Sequence, residues 1–488
     1  MSQQHYVRYV RWFDEIGLDD LALVGGKNAS LGELVEALGD SIKVPEGFAI
    51  TVDAYRHMVD MGGLWKRIMA VLDGTNWHDP TATGAASQKL RNMVRNAPLP
   101  GGLVTDIETA YRRLERKFGR GVAVAVRSSA TAEDSPTASF AGVHESFLNV
   151  RSAKALVEAV RACFASLFSE RAIAYRIDKG FAHRAVALSV GVQRMIRADR
   201  AASGVIFTLD TESGSRDVVL VSGVWGLGEA IVQGIADPDE FLVHKPTLQR
   251  GFEYVLRRRT GAKQVKMVYG KRADAGRTKW QPVPKKWRNA ACLNDHEVIH
   301  LARQAMRIED HYSAHYRTAM PMDIEWAKDG PDGELYIIQA RPETVHASAD
   351  KAVLKLYRLT GDAPVILAGQ AVGQGIAQGI VRFVDSKADL ARLEEGDVLV
   401  AETTAPDWEA AMKRAAAIVT EHGGRTCHAA IVARELGIPA IVGATGARTV
   451  LKPKQEITVS CAEGESGKVR DGHVPFAIDM VDVGHIQP

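Results

Sequence analysis

The sequence predicts a mixed α/β protein of about three domains, and three observations carry that expectation. Strand-like runs recur at residues 122–127, 185–192, 203–209 and 217–222, each rich in Val and Ile or small apolar residues. Helical stretches such as 153–176 alternate with them. The apolar share of 46% over 488 residues is enough to bury a sizeable core at about 150 residues per domain.

In chain order, residues 1–120 read as mixed helix and loop, with 44–51 turning into a strand. The stretch from Arg250 to Arg288 is basic, with Arg257-Arg258-Arg259, Lys271-Arg272 and Lys285-Lys286, and reads as a solvated hairpin face rather than a binding patch. Composition shifts at residues 346–350, which opens a linker reaching about 365, and a glycine-rich, strand-rich segment starts at 369–379. The stretch beyond Gly467 carries little pattern and reads as a frayed tail.

Lys plus Arg number 61 against 59 Asp plus Glu, so the net charge of +2 gives no global argument for nucleic acid or a membrane as partner. Cys163, Cys292, Cys427 and Cys461 stand far apart without metal-ligand or redox spacing, which fits a reducing cytoplasmic setting. No apolar run reaches the roughly 18 uncharged residues of a membrane span, and the N-terminus lacks a signal-peptide core.

The most informative segment runs from Thr420 to Pro439. His428 sits between a glycine-rich turn and a short helix that Gly437 and Pro439 end. A helix N-terminus offers unpaired N–H groups and partial positive charge, so an anion carried on that imidazole is stabilised there. Gly423 and Gly424 let backbone approach the anion, and Arg425 and Thr426 can donate to its oxygens. A lone histidine after a tight turn is ordinarily a core residue. Two glycines, an arginine, a threonine and a helix start around it favour a phosphohistidine carrier.

A carrier needs a donor. Val24-Gly-Gly-Lys-Asn-Ala-Ser30 sets Lys27 after two glycines and before a helix that Asn28 or Ser30 could cap; alone this is weak, since a surface lysine is the common case. Arg127 ends a strand and leads into a small polar loop to Gly142 and Ser146 that could close over phosphates. Alternation puts Asp323 and Glu325 on one strand face, and Gln339 and Arg341 on one face of the next. If those strands pair, a carboxylate and an amide oxygen converge in a set suited to Mg²⁺, with Arg341 neutralising phosphate charge. A polar sheet face with a structural Glu–Arg pair is the bland alternative.

Three patterns are decoys. His296-Glu-Val-Ile-His300 matches the zincin pattern, yet a helical wheel turns both histidines away from the apolar side marked by Val298, Leu301, Ala302 and Ala305. Gly226-Leu-Gly-Glu-Ala230 lacks the third glycine of a dinucleotide fingerprint. Cys427 beside His428 is no protease dyad, because adjacent side chains rarely aim together.

The fragments VGGKNASLGEL, AVRSSATAEDSPTASFAG, SLFSERAIAYR, SGVIFTLDTESG, GLGEAIVQG, PMDIEWA, IIQARPETV and GGRTCHAAIVARELGIPAIVG follow one another in an order that resembles the phosphoenolpyruvate synthase (pyruvate, water dikinase) family. The resemblance implies a bilobal ATP-grasp domain over 1–345, with subdomains of about 1–200 and 201–345. A linker at 346–365, a smaller swivelling β/β/α phosphohistidine domain at 366–470 and a tail at 471–488 would follow. It implies that Lys27, Arg127 and Arg341 grip the triphosphate of ATP, that Gly142 and Ser146 line the closing loop, and that Gln193 lies by the nucleotide. Glu325 and Gln339 would hold Mg²⁺, and His428 would take the phosphoryl group. Thr426 matches a position that a regulatory kinase/phosphatase can modify. Family members that make phosphoenolpyruvate continue into a pyruvate-binding barrel of about 250 residues. The sequence ends at Pro488, so the expectation is the ATP-to-histidine half reaction, with that barrel in cis or in trans. The alternatives are a carrier serving a separately encoded acceptor and a non-catalytic regulatory protein of the same fold.

Overall fold

The structure, a computed structural model, describes residues 8–77, 79–131, 145–178, 180–270, 278–343, 353–386, 388–405 and 408–482. Helix makes up 36% and strand 28%, so neither dominates and the mixed α/β class holds. The chain divides into two compact units: residues 1–197, 268–279 and 331–342, and residues 198–267, 280–330 and 343–488.

The first unit is built on a five-stranded antiparallel sheet in the order Val10–Trp12, Gly47–Ile50, Leu188–Arg194, Val124–Ala130, Ser146–Val150. Its largest core joins Phe48, Ile50, Val124, Val126, Val190 and Val192 of the strands to Met58, Leu90, Ile107, Leu156 and Phe164 of the helices. The expected helix over 153–176 is two helices, Ala153–Ser166 and Glu170–Asp178. Fully buried Arg176 donates from Nη1 to the Leu167 carbonyl at 2.7 Å, placing a cation at the C-terminal end of the first helix, where carbonyls lack partners.

The glycine-rich segment departs from expectation. The helix Leu21–Leu38 already includes both glycines and is interrupted at Gly25, whose φ is +72°. A Cβ there would lie 2.4 Å from Ser129 Oγ, so only glycine lets the kink press on the strand end. Neither proposed cap works as one. The Asn28 amide donates to the Val24 carbonyl and to Ser189 Oγ, both at 3.0 Å, and Ser30 Oγ donates to the Ala340 carbonyl at 2.6 Å. These side chains tie the helix to the sheet and to the strand Leu335–Pro342.

In the second unit, antiparallel strands run in the order Met322–Lys328, Ala202–Phe207, Val218–Trp225, Asp239–His244, Arg257–Arg259. Trp326 is 1% exposed and donates to the Ser222 carbonyl at 3.1 Å. The space for its indole comes from Gly204 and Gly223, where a Cβ would lie within 2.9 Å of the ring. The basic run supplies the edge strand Arg257–Arg259, with Arg258 paired to Asp295 at 2.5 Å. Lys271 and Arg272 lie outside the described residues. On the helix Asp295–Tyr316, His296 and His300 are exposed while Val298, Leu301, Ala302 and Ala305 are buried, as the wheel indicates.

A closed barrel of seven strands follows: Val365–Val372, Ala440–Val442, Ala417–Thr420, Val398–Ala401, Ile376–Phe383, Glu456–Ser460 and Ser466–Asp471. Four of them, from Ile376–Phe383 through Val398–Ala401 and Ala417–Thr420 to Ala440–Val442, pair in parallel, and the other pairings are antiparallel. Of the stretch expected to fray, the described residues up to 482 are ordered instead. Phe476–Asp482 pairs with Val353–Leu359 as an antiparallel ribbon, which satisfies the backbone of both segments.

Candidate active site

Within the first unit, strand register sets three of the expected nucleotide residues on one sheet face. Arg127 stands opposite Ser146 on one side and Gly191 on the other, while Gln193 lies two residues along from Gly191. The kinked glycine helix covers that face, since a Cβ at Gly191 would meet Asn28 Oδ1 at 2.2 Å. Lys27, next to Asn28, is half-buried and close enough to Cys163 for its charge to favour the thiolate, although burial dominates and pushes that thiol up. Gln193 Nε2 donates to the Ile338 carbonyl at 3.4 Å, beside Gln339, and Ser30 reaches the carbonyl before Arg341. Lys27, Arg127, Ser146, Gln193, Gln339 and Arg341 thus come from elements packed around one helix and one sheet face. Three of the six are cations, the charge a triphosphate requires. Gly142 lies outside the described residues.

Glu325 belongs to the second unit, on the strand Met322–Lys328. There Ile324 and Trp326 are buried while Asp323 and Glu325 are half-buried on the opposite face. The carboxylate of Glu325 and the amide oxygen of Gln339, itself 7% exposed, are hard oxygen donors.

His428 also lies in the second unit, as the first residue of the helix His428–Leu436. Cys427 is the N-cap with no side-chain hydrogen bond, so the helix start is not already closed by a capping oxygen. Gly437 ends the helix in the left-handed region at φ +68°, as the sequence indicates. Gly423, at φ +108°, turns the chain so that residues 423–427 lead directly into the helix. His428 is half-buried, whereas Arg425 is 5% and Thr426 4% exposed. Among the described residues, Arg425 Nε and Thr426 Oγ1 are buried without a hydrogen-bond partner. A buried donor left unpaired costs about 1–3 kcal/mol, so these two atoms can receive an acceptor.

The sequence did not single out Thr404. Its Oγ1 lies 3.0 Å from His428 Nδ1, and the residue is 5% exposed. It follows the strand Val398–Ala401, whose parallel neighbour Ala417–Thr420 leads to the histidine loop. The available signal was a short apolar strand ending in Thr403-Thr404, because ligand-facing residues collect beyond the carboxyl ends of parallel strands.

Residues 21–359 match the family described as pyruvate phosphate dikinase, AMP/ATP-binding domain, and residues 393–464 match PEP-utilising enzyme, mobile domain. A phosphoenolpyruvate synthase of Pseudomonas aeruginosa (strain UCBPP-PA14) is 50% identical over 97% of this chain and 59% of its own length. That of Escherichia coli (strain K12) is 47% identical over 99% and 60%, respectively. A probable phosphoenolpyruvate synthase of Archaeoglobus fulgidus is 40% identical over 95% and 58%. The chain therefore spans about three-fifths of the length of the curated relatives it matches.

Proposed function

Because the chain belongs to the pyruvate phosphate dikinase AMP/ATP-binding family, we propose that it moves a phosphoryl group from ATP to His428 and onward to pyruvate. The supporting observation is the histidine loop: a half-buried imidazole at a helix start, next to the orphaned donors Arg425 Nε and Thr426 Oγ1. The domain division that goes with this reading is an ATP-grasp domain at 1–345, a linker at 346–365, a phosphohistidine domain at 366–470 and a tail at 471–488.

Nε2 of neutral His428 attacks the β-phosphorus of ATP, the bond from that phosphorus to the α-phosphate oxygen breaks, and AMP leaves. Water then attacks the terminal phosphorus of the pyrophosphorylated histidine and releases phosphate. Last, the phosphorus on Nε2 passes to the enolate oxygen of pyruvate, giving phosphoenolpyruvate and restoring the imidazole. For the first step Nε2 needs its lone pair, which requires the proton on Nδ1. Thr404 Oγ1 accepts that Nδ1–H and fixes both tautomer and ring orientation. Arg425, Thr426 and the helix N–H groups receive the anion as it forms, stabilising the transferred group by fixed charge. Lys27, Arg127 and Arg341 hold the triphosphate, with Gln193, Ser146 and Gly142 beside the nucleotide. Glu325 and Gln339 would hold Mg²⁺, which neutralises phosphate charge when bound.

Incubation with Mg²⁺ and β-labelled ATP tests this reading. Acid-labile label on the chain with release of AMP is the expected result, and ADP as the sole nucleotide product would overturn it. The pyruvate step is tested by chasing labelled protein with pyruvate in the presence of the remaining length that the relatives carry. Label that fails to appear in phosphoenolpyruvate would point to another acceptor. Thr404→Val should slow labelling about tenfold, the value of a single hydrogen bond to a reacting group, without changing ATP affinity, and Thr404→Ser should retain the rate. Lys27→Ala and Arg341→Ala should each weaken ATP binding about 10- to 100-fold in equilibrium titration, as loss of a charge-assisted hydrogen bond dictates.

We place the protein in the cytoplasm, without nucleic acid or membrane partners. Among the described residues, no helix is long and apolar enough to cross a membrane. Thr426 is the residue we assign to control by a regulatory kinase/phosphatase. It is 4% exposed, so such an enzyme must act when the loop is uncovered.

A further inference from the structure

Within the second unit, the histidine-bearing segment rests on residues 210–240 of the same unit through the carboxylates of Asp237, Glu212 and Glu240, the last accepting from Gln370 Nε2 at 3.1 Å. Asp237 Oδ1 accepts the Gly423 N–H at 2.9 Å, at the turn that opens the histidine loop. Glu212 pairs with Arg434 on the histidine helix, and its other oxygen accepts the Gly373 N–H at 2.8 Å. The fit is close: a Cβ at Gly234 would lie 3.0 Å from Cys427 Cβ, and one at Gly424 would lie 2.7 Å from Pro238 Cδ.

Resting on the reading of His428 as phosphoryl carrier, we propose that Asp237 is a charge sensor that grips the loop while His428 is neutral and releases it once the imidazole carries a phosphoryl group. Asp237 is half-buried, and its charge reaches Cys427, the residue next to His428. Burial pushes the Asp237 carboxyl above its ordinary range and Glu240 adds to that, while the Gly423 N–H, His422 and Arg259 favour its ionised form. A phosphoryl group brings about two negative charges at neutral pH into this poorly hydrated contact. Like charges so placed repel with little screening by salt. The same carboxylate that accepts the Gly423 N–H thereby becomes the group that opposes the charged loop. Asp237→Asn keeps an oxygen to accept that N–H and removes the charge.

The test is hydrogen exchange across residues 421–436 in the full 488-residue chain. His428→Glu, which brings a negative charge without ATP chemistry, should exchange about tenfold faster there than His428→Gln, the rate following the opened population. Adding Asp237→Asn to His428→Glu should restore protection to within about twofold of the Gln variant. The parent chain labelled with ATP should behave as the Glu variant does. Equal exchange in the Glu and Gln variants, or no recovery with Asp237→Asn, would overturn the proposal. Failure of acid-labile labelling would instead overturn the carrier function, which the Glu and Gln pair does not measure.

Discussion

His428→Ala is expected to carry no acid-labile label after incubation with Mg²⁺ and β-labelled ATP, while it binds ATP within about twofold of the parent chain. Removing a nucleophile eliminates the covalent step outright, whereas removing one of several orienting groups lowers its rate. The residues proposed to grip the triphosphate are Lys27, Arg127 and Arg341 of the first unit, and His428 belongs to the second, so the substitution leaves the nucleotide's ligands in place. The two readouts should therefore separate, with labelling lost and equilibrium binding retained. Label persisting in this variant would assign the chemistry to another side chain. Loss of ATP binding together with labelling would show that the substitution disturbs more than the nucleophile.

Lys263→Met should lower stability by about 3–5 kcal/mol, measured as the shift in a denaturant transition. Lys263 and Asp239 form an ion pair with side chains 0% and 1% exposed. The carboxylate also accepts the Gly261 N–H at 2.9 Å and the Cys292 N–H at 2.8 Å, while the ammonium donates to the Gly261 carbonyl at 2.9 Å. Removing the cation strands a charged carboxylate without solvent, which is far more costly than losing the pair's net attraction. Lys263→Met with Asp239→Leu should recover part of the loss, because the uncompensated charge is gone. A shift under about 1 kcal/mol in the single variant would show that the carboxylate is neutral or solvated in the native protein. The backbone N–H of Lys263 also donates to the Asp237 carbonyl at 3.3 Å, a bond that Lys263→Met keeps.

Local signals in the sequence and contacts distant along the chain contributed differently. The turn, start and stop of the histidine helix were legible because each depends on residues within a few positions: Gly423 at positive φ, His428 at the first turn and Gly437 in the left-handed region. The exposed face of the helix Asp295–Tyr316 was legible for the same reason, since its 3.6-residue period records which side is buried. The kink at Gly25 was not, because it answers to Ser129 on a strand remote in sequence. The break between Ala153–Ser166 and Glu170–Asp178 was not either, and Arg176 bonds a carbonyl nine residues earlier beside it. The ribbon of Val353–Leu359 and Phe476–Asp482 escaped notice because each strand is featureless until the other pairs with it.

The sequence by itself determined the mixed class and the glycine turn and helix limits around His428, since backbone preference is a local property. Tertiary structure alone decided that Thr404 meets the imidazole, that Asp237 takes the Gly423 N–H, and that Gln193 and Ser30 reach the strand carrying Gln339 and Arg341. Each of those contacts joins residues far apart along the chain, and strand register and packing, rather than any short pattern, bring them within hydrogen-bond reach.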